Sequence, residues 1–262
     1  MATIRADGAT LTYEVAGESG TPALVFIPDI AFGPWMWGWQ APALAGPYRT
    51  IVYATRGTNG SDRSGPYTVD RLAADVEAVL ADVGVRRVHV IGAGLGGMVA
   101  LRYVREYGRA RSISVFGAAK SGDQIDRTAL SALYPSSLEA DALEASLSSA
   151  FSQRFLAERD RVEQIVAWRR EEDATGEALS GHQTAALEFD AGPLVELSLP
   201  TLVCHGVDDP IVPIEAGEAL AGGLPRGRFE PVEGKRCCYI EHATAVTDAI
   251  DGFVRDVDAT IK

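Results

Sequence analysis

The order of apolar and polar positions predicts strands and helices that alternate through residues 1–119. Residues 10–15 alternate apolar and polar side chains, as a half-buried strand does, and the turn at Asp7-Gly8 favours a hairpin with residues 3–5. Helical spacing of apolar residues appears at 35–44, 69–83 and 98–107. Residues 23–27 form a continuous apolar run, typical of a strand buried on both faces, and further strands are predicted at 50–53, 87–91 and 113–116.

The strand pattern stops after residue 119 and resumes only near residue 200. The intervening residues are helical in pattern, strands return at 201–205 and 228–232, and a last helix covers 244–257. This order predicts an α/β fold, a mostly parallel twisted sheet with helices on both faces. Residues 1–119 and 196–262 would form the core, and residues 120–195 a helical cap over the carboxyl ends of the strands, where α/β proteins bind ligands.

The composition of the chain limits the kinds of partner that we expect it to bind. The chain has 262 residues, 47% of them hydrophobic, which is enough for one large core. Its net charge of −12 disfavours nucleic acids and anionic membranes, and no apolar run approaches the ~20 residues of a membrane span. Three cysteines make no disulfide framework, no residues have metal-ligand spacing, and the amino terminus lacks a signal-peptide layout. We expect a cytoplasmic protein that takes a small-molecule substrate without a cofactor; homodimer formation stays open.

A glycine segment after the strand at 87–91 has two interpretations. Gly92, Gly94 and Gly97 satisfy the G-x-G-x-x-G pattern of dinucleotide-binding oxidoreductases, but the next strand ends without the acidic residue that binds the ribose. The same segment fits a nucleophile elbow, G-x-S-x-G, in which Gly94 stands in the place of serine. The second interpretation is favoured because two buried strands precede the segment.

Motifs in the order of the α/β-hydrolase fold superfamily run along nearly the whole chain. The sequence resembles the enol-lactonase branch of that superfamily at its R-G-x-G-x-S-D loop, its elbow helix and its acid loop. These motifs read here as Arg56-Gly57 with Gly60-Ser61-Asp62, then Leu95-Gly96-Gly97-Met98, then His205-Gly206-Val207-Asp208-Asp209-Pro210. The resemblance implies Gly94 at the nucleophile, Arg236 at the histidine base and Asp209 at the acid. It also implies Asp29 in the oxyanion loop, with the amides of Ile30 and Leu95 at the oxyanion positions.

Gly94 and Arg236 at these positions exclude hydrolysis by a serine–histidine–acid triad. Triad hydrolysis needs a hydroxyl that an imidazole activates, whereas Gly94 has no side chain and Arg236 stays protonated. We therefore expect no serine hydrolase activity, a positive φ at Gly94, and an ion pair between Arg236 and Asp209. The alternative for Arg236 is a fixed positive charge that faces a substrate anion.

Four further residues are candidates for the site. Asp29 is either a turn aspartate or a general acid–base in a dry space above Gly94. Trp35 is a candidate for the pocket wall, His182 lies where the cap returns to the core, and Cys237 follows the Arg236 cation. The leading hypothesis is a non-hydrolytic enzyme, a lyase, isomerase or cyclase that acts on a small apolar metabolite. The alternatives are an inactive binding protein, a hydrolase with Cys237 as relocated nucleophile, and a dinucleotide-binding oxidoreductase.

Overall fold

The protein is described by a computed structural model of residues 1–260. An eight-stranded sheet forms its centre, with the strand order β1-β2-β4-β3-β5-β6-β7-β8. β1 and β2 form an antiparallel hairpin at one edge, β2 pairs antiparallel with β4, and the remaining neighbours are parallel. The strands are β1 (Ala2–Ala6), β2 (Ala9–Ala16), β3 (Ala23–Ile27), β4 (Arg49–Tyr53), β5 (Val88–Ala93), β6 (Ala110–Phe116), β7 (Thr201–Gly206) and β8 (Gly227–Val232). The predicted mostly parallel α/β sheet is confirmed.

Helices cover both faces of the sheet and fill the segment between β6 and β7. Every residue of β3 and β5 is buried, which explains the uninterrupted apolar run of β3. None of the helices described within residues 1–260 is long and apolar enough to cross a membrane. The helices are α1 (Gln40–Leu44), α2 (Val69–Asp82), α3 (Leu95–Glu106), α4 (Arg127–Leu133), α5 (Ala140–Ser146), α6 (Gln153–Leu156), α7 (Arg159–Glu172), α8 (Gly176–Leu187), α9 (Ile214–Gly223), α10 (Cys238–Glu241) and α11 (Ala243–Thr260).

The segment after β3 differs from its prediction. Instead of one helix over residues 35–44, the chain forms a 3₁₀ turn at Pro34–Trp37 and then the short helix α1. The N–H of Gly38 donates to the carbonyl of Trp35 and closes the 3₁₀ turn. Pro42 lies inside α1 and has no N–H to donate, so a continuous helix through this segment would lack that hydrogen bond.

The residues that follow α7 fasten the helical segment to the loop after β3. The Ala174 N–H donates to the Ala31 carbonyl at 2.7 Å. The buried carboxylate of Asp173 accepts from the Gly33 N–H at 3.2 Å and from the Trp35 indole N–H at 2.8 Å. The connection between α7 and α8 is thereby joined to the loop that carries Asp29.

Candidate functional site

Gly94 forms the sharp turn between β5 and α3. Its φ of 48° and ψ of −113° lie in a region that only glycine enters without strain, which confirms the predicted positive φ. A Cβ atom at this position would lie 1.8 Å from Asp29 Oδ1 and 2.1 Å from Arg236 Nη2. No side chain fits there while these two residues keep their places.

Asp29 follows β3 and occupies the space above Gly94. Its Oδ1 accepts from the Ile30 N–H at 2.7 Å and from the Leu95 N–H at 2.9 Å. The two amides that the family resemblance assigns to an oxyanion hole therefore converge on one oxygen of the protein's own carboxylate. The Asp29 side chain, which is fully buried, therefore occupies the oxyanion positions that the resemblance implies.

Arg236 joins Asp29 to Asp209. Its Nε and Nη2 lie 2.9 and 2.8 Å from Asp29 Oδ2, and its Nη1 lies 3.1 Å from Asp209 Oδ2. Nη1 also donates to the Gly117 carbonyl at 2.5 Å. Burial opposes the charge, but the two carboxylates raise the pKa of Arg236 well above its ordinary value. The predicted Arg236–Asp209 ion pair is confirmed, and Asp29 is a second partner of Arg236 that the sequence analysis did not predict. We call Asp29, Arg236 and Asp209 the charge cluster.

The loop after β7 fixes the Asp209 carboxylate. Its Oδ1 accepts from the N–H groups of Ile211 and Val212, at 2.8 and 3.3 Å. His205 lies beside it, with Nε2 3.7 Å from Asp209 Oδ2 and 2.8 Å from the Val212 carbonyl. Burial lowers the pKa of His205, so the imidazole stays neutral and Arg236 remains the cation that balances Asp209.

Three further side chains lie on the loop after β3 or on the helical segment between β6 and β7. The Tyr134 hydroxyl is buried within electrostatic reach of Asp29 and makes no hydrogen bond; burial raises its pKa well above the ordinary value. His182 Nδ1 accepts from the Ala31 N–H at 3.1 Å, and burial lowers the pKa of His182 to about 4. His182 is therefore neutral and supports the loop after β3. Trp35 packs edge-on against Phe32, with ring centroids 5.0 Å apart.

Cys237 does not have the surroundings of a nucleophile. The residue is fully buried, and its Sγ lies 3.6 Å from the Tyr239 hydroxyl. Burial raises the pKa of the Cys237 thiol to about 12, so the thiolate that attack requires is not formed near neutral pH. The hypothesis of a relocated cysteine nucleophile loses its physical basis.

The glycine segment is closely packed within the core. A Cβ at Gly92 would lie 2.2 Å from the Gly96 carbonyl oxygen, and one at Gly96 would lie 2.3 Å from the Ile27 carbonyl oxygen. These glycines allow α3 to approach β3 and β5, and all residues from 91 to 100 are buried. This close packing favours the nucleophile-elbow interpretation over the dinucleotide-binding one. Within residues 1–260, no group of three or more His, Cys, Asp or Glu side chains could hold a metal ion.

The sheet order, the strand–turn–helix at Gly94 and the acid loop after β7 define an α/β-hydrolase class of protein. The model of the Alpha/beta hydrolase family matches residues 24–249, and the chain belongs to that family. It is 27% identical over 254 residues to 3-oxoadipate enol-lactonase 1 from Acinetobacter baylyi, with 95% of each chain covered.

Solved structures agree with this assignment. A hydrolase from Pseudomonas aeruginosa superposes with a TM-score of 0.84 at 26% identity, covering 97% of each chain. The enol-lactonase from Burkholderia xenovorans superposes with a TM-score of 0.82 at 22% identity, covering 97% of this chain and 100% of that one, and shows the common fold. These relatives are named as hydrolases, so the residues at the site of this chain decide whether it shares their chemistry.

Proposed function

We propose that this protein is a non-hydrolytic member of the alpha/beta hydrolase family that binds a small molecule. One observation carries the proposal: Asp29 Oδ1 accepts hydrogen bonds from both the Ile30 and Leu95 amides, at 2.7 and 2.9 Å. Oxyanion-hole catalysis requires such donors to be free for the charge that develops on the substrate. In this protein the Ile30 and Leu95 amides already bind the Asp29 carboxylate.

The other members of the charge cluster support the same proposal. A carbonyl substrate would have to displace the Asp29 carboxylate from two amides and from a buried guanidinium. Even then Gly94 offers no nucleophile, and Arg236 cannot take a proton at any working pH. The relatives' names favour ester or lactone hydrolysis for the family, whereas the residues at this site remove the hydroxyl, the base and the free oxyanion hole together.

The direct test is hydrolysis by the purified protein. p-Nitrophenyl acetate measures ester cleavage, and acid release from γ-butyrolactone in a pH-stat also detects lactone opening that bypasses a covalent intermediate. We expect rates equal to the buffer blank and no stoichiometric labelling by a fluorophosphonate probe, with a known serine hydrolase as positive control. Saturable hydrolysis of either substrate would overturn the proposal.

A second candidate is a non-hydrolytic reaction in which Asp29 moves a proton. The favouring observation is that the Asp29 carboxylate contacts the Arg236 guanidinium at 2.8 Å and that the buried Tyr134 hydroxyl lies within electrostatic reach of both. A small molecule that co-purifies with the protein would supply the substrate to assay. Asp29→Asn should then lower turnover by about 10²-fold or more while the protein stays folded. Unchanged turnover would exclude Asp29 as the acid–base.

A further inference from the structure

A cleft in the helical segment lies on the outer side of Tyr134. It is formed by the end of α4 with the turn that follows, residues 131–136, and by the first half of α8, residues 176–183. Its volume is about 540 Å³, within the range of about 300–1,000 Å³ that small-molecule sites occupy. The cleft is therefore large enough for a ligand of metabolite size, and neither Gly94 nor a residue of the charge cluster lines it.

The side chains that line this cleft are uncharged. They are Ser131, Tyr134, Ser136, Leu179, Ser180 and Gln183, accompanied by a proline and a glycine. In a chain with a net charge of −12, a wall without a single carboxylate or cation is a selective feature. A charged ligand would lose hydration there without gaining an ion pair, whereas a neutral ligand would not.

The polar groups of the cleft favour a ligand that donates hydrogen bonds. The Ser131 hydroxyl donates to the Arg127 carbonyl, and the Ser180 hydroxyl donates to the Gly176 carbonyl at 3.1 Å. Each hydroxyl proton is thus engaged within its own helix, while the oxygen lone pairs remain available as acceptors. The Gln183 amide adds one acceptor oxygen together with an NH₂ donor, and Leu179 adds an apolar surface.

Tyr134 separates the cleft from the charge cluster. The residue is 3% exposed and lines the cleft, yet its hydroxyl lies within electrostatic reach of Asp29 and Arg236. Phe32 supports the ring from inside, with centroids 5.0 Å apart. The ring therefore stands between a polar, uncharged cleft and a buried ionic centre.

We propose that this cleft binds a small uncharged molecule bearing hydrogen-bond donors, and that the Tyr134 ring is the wall between that ligand and the charge cluster. The proposal rests on the proposed function, because it gives the non-hydrolytic protein its ligand site and ligand class. It predicts selection by charge at equal shape, because neither an anion nor a cation finds an opposite charge on the wall of the cleft.

Three probes of one shape test this selection: 4-fluorobenzyl alcohol, 4-fluorobenzoate and 4-fluorobenzylamine, each followed by fluorine NMR line broadening on the full chain. We expect the alcohol to bind and the two ions to bind more weakly. Ser180→Trp on the exposed rim of the cleft should abolish the alcohol signal. Thr184→Trp, also exposed on α8 but outside the cleft, should leave it unchanged.

Four results would overturn the proposal. They are tighter binding of the benzoate, equal binding of all three probes, a signal that survives Ser180→Trp, and no binding of the alcohol. Tyr134→Phe keeps the ring and should keep binding; its loss would overturn the role of the ring as a wall. Ester or lactone hydrolysis would overturn the proposed function while leaving these binding results intact, so the two failures are distinguishable.

Discussion

Asp29 Oδ2 lies 2.8 Å from Arg236 Nη2, although the two residues stand 207 positions apart in the chain. One comes from the loop after β3 and the other from the loop after β8, and both side chains are almost completely buried. The pair crosses the point above Gly94 at which the family resemblance places a nucleophile. The pair therefore occupies the position that the resemblance assigns to the nucleophile, and it links the loop after β3 to the loop after β8.

Removal of Arg236 should destabilise the protein strongly. Arg236→Ala leaves the carboxylates of Asp29 and Asp209 buried without a cation, and breaking a buried pair in this way typically costs about 3–5 kcal/mol. For a domain of this size the melting temperature should fall on the order of 10 °C, measured by calorimetry at neutral pH.

Arg255→Ala is the matched control for that loss. Arg255 also pairs with an aspartate, Asp251, at 2.9 Å, but its side chain is 67% exposed. Exposed pairs contribute about 0–1 kcal/mol, so this variant should melt within a few degrees of the wild type. Equal shifts in the two variants would contradict a structural role for the charge cluster.

Restoring a serine at position 94 should not restore activity. The Cβ of Gly94→Ser would meet Asp29 Oδ1 at 1.8 Å on a backbone with positive φ. Backbone strain of about 1–3 kcal/mol and overpacking of about 1–3 kcal/mol should lower the free energy of unfolding, as measured by denaturant titration. Gly108→Ser, whose Cβ meets nothing within 4 Å, is the control. A stable Gly94→Ser protein labelled by fluorophosphonate would refute this account of the turn.

Glu172 should make stability depend on pH. It accepts from the Trp35 N–H at 2.9 Å, and burial, reinforced by the nearby carboxylates of Asp173, Glu171 and Glu14, raises its pKa from 4.5 to about 7. Between these values the folded state binds a proton that the unfolded state has released. Unfolding therefore releases protons, and this contribution to stability is lost as pH rises from about 4.5 to 7.

Glu172→Gln stays neutral and should remove that loss. Melting temperatures measured from pH 4.5 to 8 should show the variant gaining on the wild type up to about pH 7 and holding a constant advantage above it. Glu163→Gln, exposed on the same helix α7, should run parallel to the wild type. If the melting temperature of Glu172→Gln also runs parallel to that of the wild type across this pH range, burial does not raise the pKa of Glu172.

Local patterns predicted the central strands of the sheet because these strands are buried on both faces. β3 was expected at residues 23–27 and lies at Ala23–Ile27, since every position in it is apolar. α3 begins at Leu95, three residues earlier than its apolar spacing indicated. Gly96 and Gly97 weaken a helical pattern, yet close packing against β3 and β6 keeps them helical.

The partner of Asp29 could not be predicted from local pattern. The sequence placed Asp29, Arg236 and Asp209 at one edge of the sheet and paired Arg236 with Asp209 alone, because an aspartate–histidine pair was the template. The available signal was that two opposite charges, Asp29 and Arg236, stand at the oxyanion-loop and histidine-base positions of the family. How a buried guanidinium divides its donors between two carboxylates depends on side-chain packing, which sequence spacing does not specify.

The most direct test of the central claim replaces the Asp29 carboxylate with an external one. Asp29→Ala should leave the amides of Ile30 and Leu95 and the guanidinium of Arg236 around a small cavity. Formate at tenfold its dissociation constant should stabilise that variant by about 1.4 kcal/mol. The melting temperature should rise saturably by roughly 3–6 °C, while the wild type, whose site is filled, responds no more to formate than to chloride at equal ionic strength. Equal responses of the two proteins to formate would show that Asp29 does not fill an anion site, and would contradict the account.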